Sequence, residues 1–347
     1  MKPVILGFGN LIVDVIKKDK CTLCGACSAV CPMGIVKIEE EPKLKGKCVL
    51  CGICYDMCPR TIDETTEIVT RFLAPPIYDE FLGGYREIVS ARTKIDEIAK
   101  FAQDGGVVTS LLAYMIDKGI MDGVVLTIAD DLWQAKPIIA TSREEIIKCA
   151  GTKYTVSPNL YAIREAVYDK GLSKIVVVGT PCQITAVRKM QLHPTISDVG
   201  SRIFMTIGLF CMESFDYKAL VDDFIVKQKG LKIEEIGKFM ITKGKLILLS
   251  KEGKELLSVP LKEIKKAARK ACEFCQDFTS ELADISVGSV GSPEGWSSVI
   301  TRSELGEKIF KKAVEDGYIE YKSIEEVKPG KDAIIKLSKR KKASKEG

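Results

Sequence analysis

The sequence predicts an α/β domain with a mixed sheet, preceded by a small α+β domain built around cysteines. Eight cysteines occur in two equally spaced runs in the first sixth of the 347-residue chain. A turn-rich stretch follows them, residues 72–85, with Pro75, Pro76, Gly83 and Gly84. Beyond it, short β-branched segments alternate with helical segments. This order favours a parallel or mixed sheet covered by helices.

The two cysteine runs share the spacing C-x2-C-x2-C-x3-C, and each is followed by proline. Thiolates are soft ligands, and this spacing is typical of bacterial ferredoxins with two 4Fe-4S clusters. Zinc sites instead pair cysteines across longer spacers, and disulfides need an oxidising compartment. In ferredoxin runs the fourth cysteine ligates the other cluster. We therefore assign one cluster to Cys21, Cys24, Cys27 and Cys58, and the other to Cys48, Cys51, Cys54 and Cys31.

The order of these features divides the chain into four parts. We place a two-cluster ferredoxin domain at residues 1–71, a linker at 72–85, the α/β domain at 86–330 and a basic tail at 331–347. Residues 4–16 are predicted to be extended. No apolar run approaches the roughly 18 residues of a membrane span, and no signal peptide is recognisable. Thirteen cysteines without an export signal indicate a reducing cytoplasm.

The basic tail holds seven lysines and arginines against two acids, which equals the formal net charge of +5 for the whole chain. We expect a solvated end, and contact with an acidic subunit or an anionic membrane is the alternative. The run lacks interleaved aromatic residues, so it does not support nucleic-acid binding.

The elements of the α/β domain follow from hydrophobic periodicity. Residues 237–259 indicate an antiparallel excursion, because Lys243-Gly244 and Glu252-Gly253 separate its strands. The predicted strands are Glu87–Ala91, Gly123–Ala129, Lys174–Gly179, Ile203–Phe210, Gly237–Thr242, Lys245–Ser250, Asp284–Gly288 and Ser298–Thr301. The predicted helices are Val107–Asp117, Glu144–Cys149, Leu160–Asp169, Gln183–Met190, Tyr217–Lys227 and Glu304–Glu315.

Three glycine-containing stretches are suited to ligand binding. One opens a predicted helix, where free N–H groups favour a phosphate: Gly105, Gly106, Val107, Val108 and Thr109. The second combines a hydroxyl, a cation and an aromatic ring: Gly151, Thr152, Lys153 and Tyr154. The third, Gly288–Trp296, follows a predicted strand and is rich in turns. Composition alone favours an ordinary helix cap for the first stretch and a loop with a surface lysine for the second, and a tight connector with one half-buried tryptophan is the alternative for the third.

Four further cysteines could form a third site. Cys182 follows the strand that ends at Gly179, Cys211 ends another strand, and Cys272 and Cys275 form a C-x2-C pair. These four thiolates suit a third 4Fe-4S cluster, and a zinc site or unconnected thiols are the alternatives. Cys149 is expected to be a packed thiol. The single histidine, His193, argues against hydrolase triads.

Taken in order, these motifs resemble the family of coenzyme F420 hydrogenase and dehydrogenase beta subunits, from about Arg86 to Tyr321. With the ferredoxin part and this total length, the chain is most similar to the F420H2 dehydrogenase branch of methanogenic and related archaea. The resemblance implies a flavin-binding α/β domain that holds FAD non-covalently. It places Gly105 to Thr109 and Gly151 to Tyr154 at the FAD phosphates and ribose. It places Gly291, Ser292, Gly295 and Trp296 near the isoalloxazine, and it supports the third cluster at Cys182, Cys211, Cys272 and Cys275.

The resemblance implies an iron–sulfur flavoprotein that oxidises reduced coenzyme F420 by hydride transfer to FAD and passes single electrons to a partner complex. No side-chain acid or base is assigned. The expected partners are F420, the substrate, and other subunits of a redox complex, with a membrane-bound F420H2 dehydrogenase favoured and a position on the cytoplasmic face of the membrane. Lys94, Lys136 and Lys153 are possible contacts of the acidic F420 tail.

Rival interpretations change the partner, the substrate or the cofactor. The partner could be a soluble hydrogenase or a heterodisulfide reductase. Relatives with other substrates include pigment reductases and F420-linked sulfite or glutamate enzymes. The third rival is a flavin-free ferredoxin-type electron-transfer adaptor. The final electron acceptor and the direction of electron flow do not follow from the sequence.

Overall fold

The computed structural model describes residues 6–343. Its first helix, α1 (Phe8–Leu11), continues as a π-helical turn over Ile12–Ile16. The prediction of an extended segment is therefore wrong for residues 8–16, and residues 4 and 5 lie outside the described part. Phe8, Leu11 and Val15 are spaced to share one helix face, and they pack against buried cysteines.

The N-terminal domain is a small α+β unit. Helices α2 (Ala26–Ala29) and α3 (Ile53–Asp56) each start after a glycine with positive φ and carry the third cysteine of a run. Strands β1 (Val36–Ile38) and β2 (Pro42–Leu44) pair antiparallel between the runs. Helix α4 (Thr65–Ile68) continues as a π-helical turn through Val69–Leu73. The following hairpin consists of β3 (Ile77–Asp79) and β4 (Gly83–Tyr85).

The α/β domain contains eleven further strands in the described residues. They are β5 (Glu87–Thr93), β6 (Gly123–Ala129), β7 (Ala135–Ala140), β8 (Ile175–Gly179), β9 (Ile203–Leu209), β10 (Ile236–Thr242), β11 (Lys245–Ser250), β12 (Glu255–Pro260), β13 (Ile285–Gly288), β14 (Ser297–Thr301) and β15 (Ile319–Ser323).

Eight of these strands form one mixed sheet in the order β15-β5-β14-β13-β9-β8-β6-β7. Strands β13, β9, β8 and β6 run parallel at its centre, and the flanking pairs are antiparallel. The mixed sheet is thus confirmed. Strands β10–β12 form a separate antiparallel sheet, which confirms the predicted excursion. The sequence prediction missed β7, an edge strand with Pro137 at its centre, because proline weakens the strand signal.

Helices of the α/β domain pack on both faces of the large sheet, and the segments Lys218–Gln228 and Leu261–Ile264 pack on the small sheet β10–β12. The helices of this domain are α5 (Asp96–Ala99), α6 (Val107–Asp117), α7 (Arg143–Lys148), α8 (Tyr161–Arg164, continuing over Glu165–Asp169), α9 (Pro181–Leu192), α10 (Ser197–Gly200), the π-helical Lys218–Gln228, α11 (Leu261–Ile264), α12 (Glu304–Glu315) and α13 (Lys331–Ala343).

Alternate strand residues face two cores, as the strand period requires. Val124 and Val176 pack with α6 and α12 on one face. Val125 and Val177 pack with α8 and α9 on the other, and the N-terminal domain adds Val30 and Ile53 to that second core. The two domains therefore share a hydrophobic core.

The basic tail is not a solvated end over residues 331–343. Helix α13 buries Ile334, Ser338 and Lys341, while Lys336 and Lys339 are exposed. Its buried positions recur at spacings of four and three, so one face packs on the domain. Within residues 6–343, the helices are too short or too polar to cross a membrane.

Candidate cluster and cofactor site

The residues that follow the parallel strands β8, β9 and β13 lie at the same end of the large sheet, where the carboxyl ends of these strands meet. After β8, the Thr180 N–H donates to Gln183 Oε1 at 2.9 Å, and Pro181 opens α9, so Cys182 lies in the first helical turn. After β9, the Cys211 N–H donates to the Phe278 carbonyl at 2.9 Å. The sheet thereby brings two distant cysteines to the same edge.

The four later cysteines form one group, which we call the third group: Cys182, Cys211, Cys272 and Cys275. Burial raises the pKa of the Cys211 thiol well above its ordinary value, and the charges of the other three raise it further. The Ser214 N–H donates to Cys272 Sγ at 3.4 Å, and Thr180 Oγ1 lies 3.3 Å from Cys182 Sγ. The thiols are therefore near neighbours, although they come from three separate segments of the chain.

The electrostatic neighbours of the cysteines in the two ferredoxin runs include the fourth cysteine of the other run. Burial raises the pKa of Cys27, and the charges of Cys24, Cys21 and Cys58 add to this. Burial likewise raises the pKa of Cys58 to about 11, with Cys21 contributing. We call these four residues the inner group: Cys21, Cys24, Cys27 and Cys58.

The remaining four cysteines are the outer group: Cys48, Cys51, Cys54 and Cys31. Burial raises the pKa of Cys54 to about 12, and its further causes are the charges of Cys51, Cys48 and Cys31. Cys51 is exposed, and its neighbours Val49 and Leu50 are 55% and 66% exposed. The outer group thus reaches the surface, whereas Cys24, Cys27 and Cys58 of the inner group are buried.

The third group adjoins the inner group. The charge of Cys182 raises the pKa of both Cys21 and Cys24, although burial is the larger cause in each. All thirteen cysteines are free thiols. Within residues 6–343, no three cysteine, histidine, aspartate or glutamate side chains are arranged to hold a single metal ion. The three groups follow one another as third, inner and outer.

Several cations beside these groups were not identified from the sequence. Lys189 is 1% exposed and donates to the carbonyls of Cys58 and Ile62 at 3.0 and 2.9 Å. Burial lowers its pKa. Lys341 of α13 is buried and donates to the carbonyls of Met212 and Cys272. No local motif marks these lysines, because their acceptors are distant in sequence.

The two glycines before α6 are explained by backbone packing. A Cβ at Gly105 would lie 2.6 Å from the Ala91 carbonyl oxygen and 2.7 Å from the Ser297 nitrogen. Gly106 has a φ of 68° and precedes the helix. Thr109 is buried. Burial also raises the pKa of Asp104, and the charge of Glu294 adds to this effect. This turn therefore lies against the sheet and near the loop Gly288–Trp296.

The segment Gly151–Tyr154 is connected to the same turn by Gln103, which accepts from the Thr152 N–H at 3.2 Å. The Lys153 ammonium donates to the carbonyls of Cys149, Ala150 and Gly151 at 2.5–3.0 Å, at the carboxyl end of α7. Burial lowers the Lys153 pKa to about 8. Tyr154 Oη accepts from the Ile241 N–H at 3.1 Å, and burial raises the Tyr154 pKa to about 12.

Between this segment and the small sheet lies a narrow cleft, lined by Lys153, Tyr154, Trp133 and Phe239 among others. Only about 10 Å³ of it is accessible to water, which is room for about one water molecule.

The loop after β13 is held by α13. A Cβ at Gly291 would lie 2.7 Å from Ile334 Cγ1, and the φ of Gly291 is 102°. Ser292 Oγ lies 2.9 Å from Ser298 Oγ. Gly295 has a φ of 76° and open space where a Cβ would be. The Trp296 ring lies beneath two cations, Arg92 Cζ at 4.7 Å and Lys322 Nζ at 5.1 Å.

Models of two parts of one known family match the α/β domain. Residues 88–164 match the N-terminal part of the coenzyme F420 hydrogenase/dehydrogenase beta subunit, and residues 172–327 match its C terminus. The chain belongs to this family. Residues 13–59 match a 4Fe-4S dicluster domain, which confirms the two-cluster ferredoxin assignment at the level of the domain.

Curated and solved relatives agree with this family. The coenzyme F420 hydrogenase subunit beta of Methanosarcina barkeri is 45% identical over 267 residues, which is 76% of this chain and 91% of the relative. A component of the F420H2 dehydrogenase of Methanosarcina mazei is 37% identical over 330 residues, 94% of this chain and 90% of the relative. A chain of the F420-reducing NiFe hydrogenase complex from Methanosarcina barkeri has a TM-score of 0.74 and 44% identity, and the match covers 77% of this chain and 92% of that chain.

Proposed function

We propose that this chain oxidises reduced coenzyme F420 and delivers the electrons singly to a partner complex. The observation that carries the proposal is the match of both beta-subunit models, together with a dicluster domain on the same chain. When bound, FAD would accept a hydride as two electrons and release them singly, and 4Fe-4S clusters would carry one electron each.

The donor sets fit the clusters that this function needs. Three groups of four thiols lie beside one another, and burial raises the pKa values of Cys27, Cys54 and Cys211. A raised pKa means that these thiols stay protonated without metal. The positive charge of bound iron favours the thiolate form and would offset the repulsion between the four thiolates. We propose the inner and outer groups as ligands of two 4Fe-4S clusters and the third group as ligands of a third.

The residues proposed for FAD also lie together. The turn Gly105–Thr109, the segment Gly151–Tyr154 and the residues Gly291, Ser292, Gly295 and Trp296 converge on one edge of the sheet. Gly295 leaves open space beside its backbone, so a flat ring could approach closely. The role of these residues is to orient the ring and to exclude water.

The three lysines named from the sequence for the acidic F420 tail have different surroundings. Lys136 pairs with Asp130 at 2.7 Å, and Lys153 is bound to carbonyls, so neither ammonium is presented to solvent alone. Lys94 is exposed. Arg92 and Lys322 both lie beside Trp296, but Arg92 already pairs with Glu320 at 2.5 Å. We therefore propose Lys322 as a further contact of the anionic tail.

The partner is proposed from the length of the alignments. The F420H2 dehydrogenase relative aligns over 94% of this chain, whereas the hydrogenase relative aligns over 76%. An alignment over 94% of this chain must include most of the dicluster domain at residues 13–59, whereas an alignment over 76% can leave that domain out. We therefore propose that this chain is the electron-input component of a membrane-bound F420H2 dehydrogenase, peripheral on its cytoplasmic face, with electrons leaving at the exposed outer group.

A second candidate function changes only the acceptor. The coenzyme F420-dependent sulfite reductase of Methanocaldococcus jannaschii is 36% identical over 315 residues, and the alignment spans 47% of that protein. An F420-oxidising unit of this kind can therefore be joined to a different reductase. A soluble hydrogenase or heterodisulfide reductase complex is a further alternative partner.

Anaerobic reconstitution with iron, sulfide and FAD tests the proposal. We expect about twelve irons per chain, a flavin spectrum that F420H2 bleaches, and turnover with a one-electron viologen acceptor. About eight irons would remove the third cluster. A protein that cannot be loaded with FAD would instead be a flavin-free electron-transfer adaptor.

A further inference from the structure

Two arginines cross between the N-terminal domain and the segment that carries Cys272 and Cys275. Arg60 follows the last cysteine of the second ferredoxin run by two residues. Its Nη1 donates to the Phe274 carbonyl at 2.7 Å, and its Nη2 donates to the Ala271 carbonyl at 3.1 Å. These carbonyls belong to the residues that directly precede Cys275 and Cys272. Arg60 thus holds the backbone of the C-x2-C pair.

Arg269 makes the reverse contact. It precedes the C-x2-C pair, and its Nη2 donates to the carbonyl of Cys21, the first cysteine of the inner group, at 3.0 Å. We call Arg60 and Arg269 the crossed arginines, because each belongs to one thiol group and binds the backbone of the other. A guanidinium is planar and always charged, so it suits such two-sided contacts.

The crossed arginines also act electrostatically on both groups. The positive charge of Arg269 acts on Cys21 and on Cys272. The charge of Arg60 does the same at Cys58 and at Cys275. Each guanidinium therefore interacts with one thiol on either side of the domain junction.

One nitrogen of each arginine lacks a hydrogen-bond acceptor among the described residues. The Nε atoms of Arg60 and Arg269 are buried and have no hydrogen-bond partner among residues 6–343. A buried N–H without an acceptor costs about 1–3 kcal/mol. The sulfur atoms of ligated thiolates and of a cluster are acceptors of suitable charge for these two N–H groups.

We propose that the crossed arginines are positioning residues for electron transfer between the third and inner clusters. This inference rests on the proposed function and deepens it. With both clusters bound, the step would move one electron: the cluster of the third group would lose it, the cluster of the inner group would gain it, and no proton or bond would be exchanged. The two guanidinium charges at the junction stabilise the more negative, reduced states. Their hydrogen bonds to both backbones fix the position of the third group relative to the inner group.

The first test measures reduction potentials without substrate. Arg60→Gln and Arg269→Gln are titrated anaerobically, with the EPR spectra of the reduced clusters as the readout. We expect the inner and third clusters to become harder to reduce by at least threefold in the equilibrium constant, and their mutual magnetic coupling to weaken. For a one-electron couple, tenfold corresponds to about 59 mV.

Arg164→Gln is the matched control. Arg164 also crosses from the α/β domain, but its Nη1 donates at 2.8 Å to the carbonyl of Cys31, which belongs to the outer group. We expect this variant to alter the outer cluster and to leave the coupling between the inner and third clusters unchanged. Arg60→Lys keeps the charge but loses the fork, so the potential should stay near the wild-type value while the coupling weakens.

Rapid mixing with F420H2 separates this inference from the proposed function. If flavin in the wild-type protein is not bleached, the proposed function is wrong. If bleaching is normal and the inner cluster of Arg60→Gln is reduced at the wild-type rate with unchanged potentials, the inference is wrong. Iron content and far-UV circular dichroism equal to wild type show that the variants have folded. If both glutamine variants lose iron, Arg60→Lys tests the inference instead. Weakened coupling at a potential near the wild-type value supports it, and unchanged coupling contradicts it.

Discussion

At the scale of single residues, the sequence predicts that the fourth cysteines of the two runs are exchanged. The charge of Cys21 acts on Cys58, and that of Cys31 acts on Cys54, which supports this prediction. The reason is local: each run forms one short helix, and its fourth cysteine lies two residues beyond the end of that helix. The pairing of these cysteines with iron stays a prediction.

Alanine variants of the fourth cysteines test that pairing. We expect Cys58→Ala to lose the same EPR signal as Cys21→Ala, because both belong to the inner group. Cys31→Ala should lose the signal that Cys48→Ala loses. Iron analysis accompanies the spectra. Grouping of Cys58→Ala with Cys48→Ala would contradict the exchange.

Lys153 makes a pH-dependent contribution to stability. Its pKa is about 8 in the folded protein and ordinarily 10.5, so between these values the unfolded chain binds more protons. Stability from this group should therefore rise as the pH rises from about 8 to 10.5. Lys153→Met removes the titration. We expect wild-type thermal stability, measured relative to Lys153→Met, to increase across this window.

The control for this experiment is Lys148→Met, which removes an exposed lysine at the end of α7, the helix that precedes the segment with Lys153. Its pH profile should run parallel to that of the wild type. A parallel profile for Lys153→Met as well would show that the buried ammonium does not titrate in this range.

At the scale of elements, α13 is the largest departure from the sequence prediction. Four basic residues in a row, Lys339 to Lys342, favour a solvated end, but Lys341 points inward to carbonyls at the third group. The tail is also bound through Gly291, whose carbonyl accepts from the Gly330 N–H at 2.9 Å. Helix α13 thus supports both the loop after β13 and the third group.

Gly291→Ala tests this support. The Cβ of alanine would lie 2.7 Å from Ile334 at a φ of 102°. We therefore expect the free energy of unfolding to fall by clearly more than the roughly 1–2 kcal/mol that a left-handed residue alone costs. FAD affinity should fall with it, because the loop must shift. Chemical denaturation and retention of flavin on a desalting column are the measurements.

Gly317→Ala is the matched control for that variant. Gly317 has a φ of 78°, has open space at its Cβ position and lies outside the site. It should cost about 1–2 kcal/mol and leave FAD binding unchanged. Equal losses in the two variants would mean that α13 does not constrain the loop.

At the scale of the whole molecule, the two domains differ in what stabilises them. Phe8, Leu11, Val15 and Val36 share the small N-terminal core with Cys27, Cys31, Cys54 and Cys58. The large sheet instead has two extensive apolar cores. Small domains with few apolar residues depend on metal for stability.

Removal of iron should therefore unfold the chain unevenly. After anaerobic chelation, we expect amide protons of residues 6–62 to exchange at least tenfold faster, while those of β8 and β9 stay protected. Hydrogen exchange with mass spectrometry measures both regions in one sample. Unchanged protection of residues 6–62 would show that packing on α8 and α9 is sufficient.

The sequence by itself determined the cluster-binding runs, the family motifs and most central strands, because each of these depends on neighbours close in the chain. Cysteine spacing and β-branched runs are local signals. Only the tertiary structure decided that the third group adjoins the inner group, that α13 packs on the domain, and that Arg60 and Arg269 cross the junction. Arg60 and Phe274 are 214 residues apart, and Arg269 and Cys21 are 248 apart. Such contacts leave no periodic pattern, since they arise only when separate elements pack together.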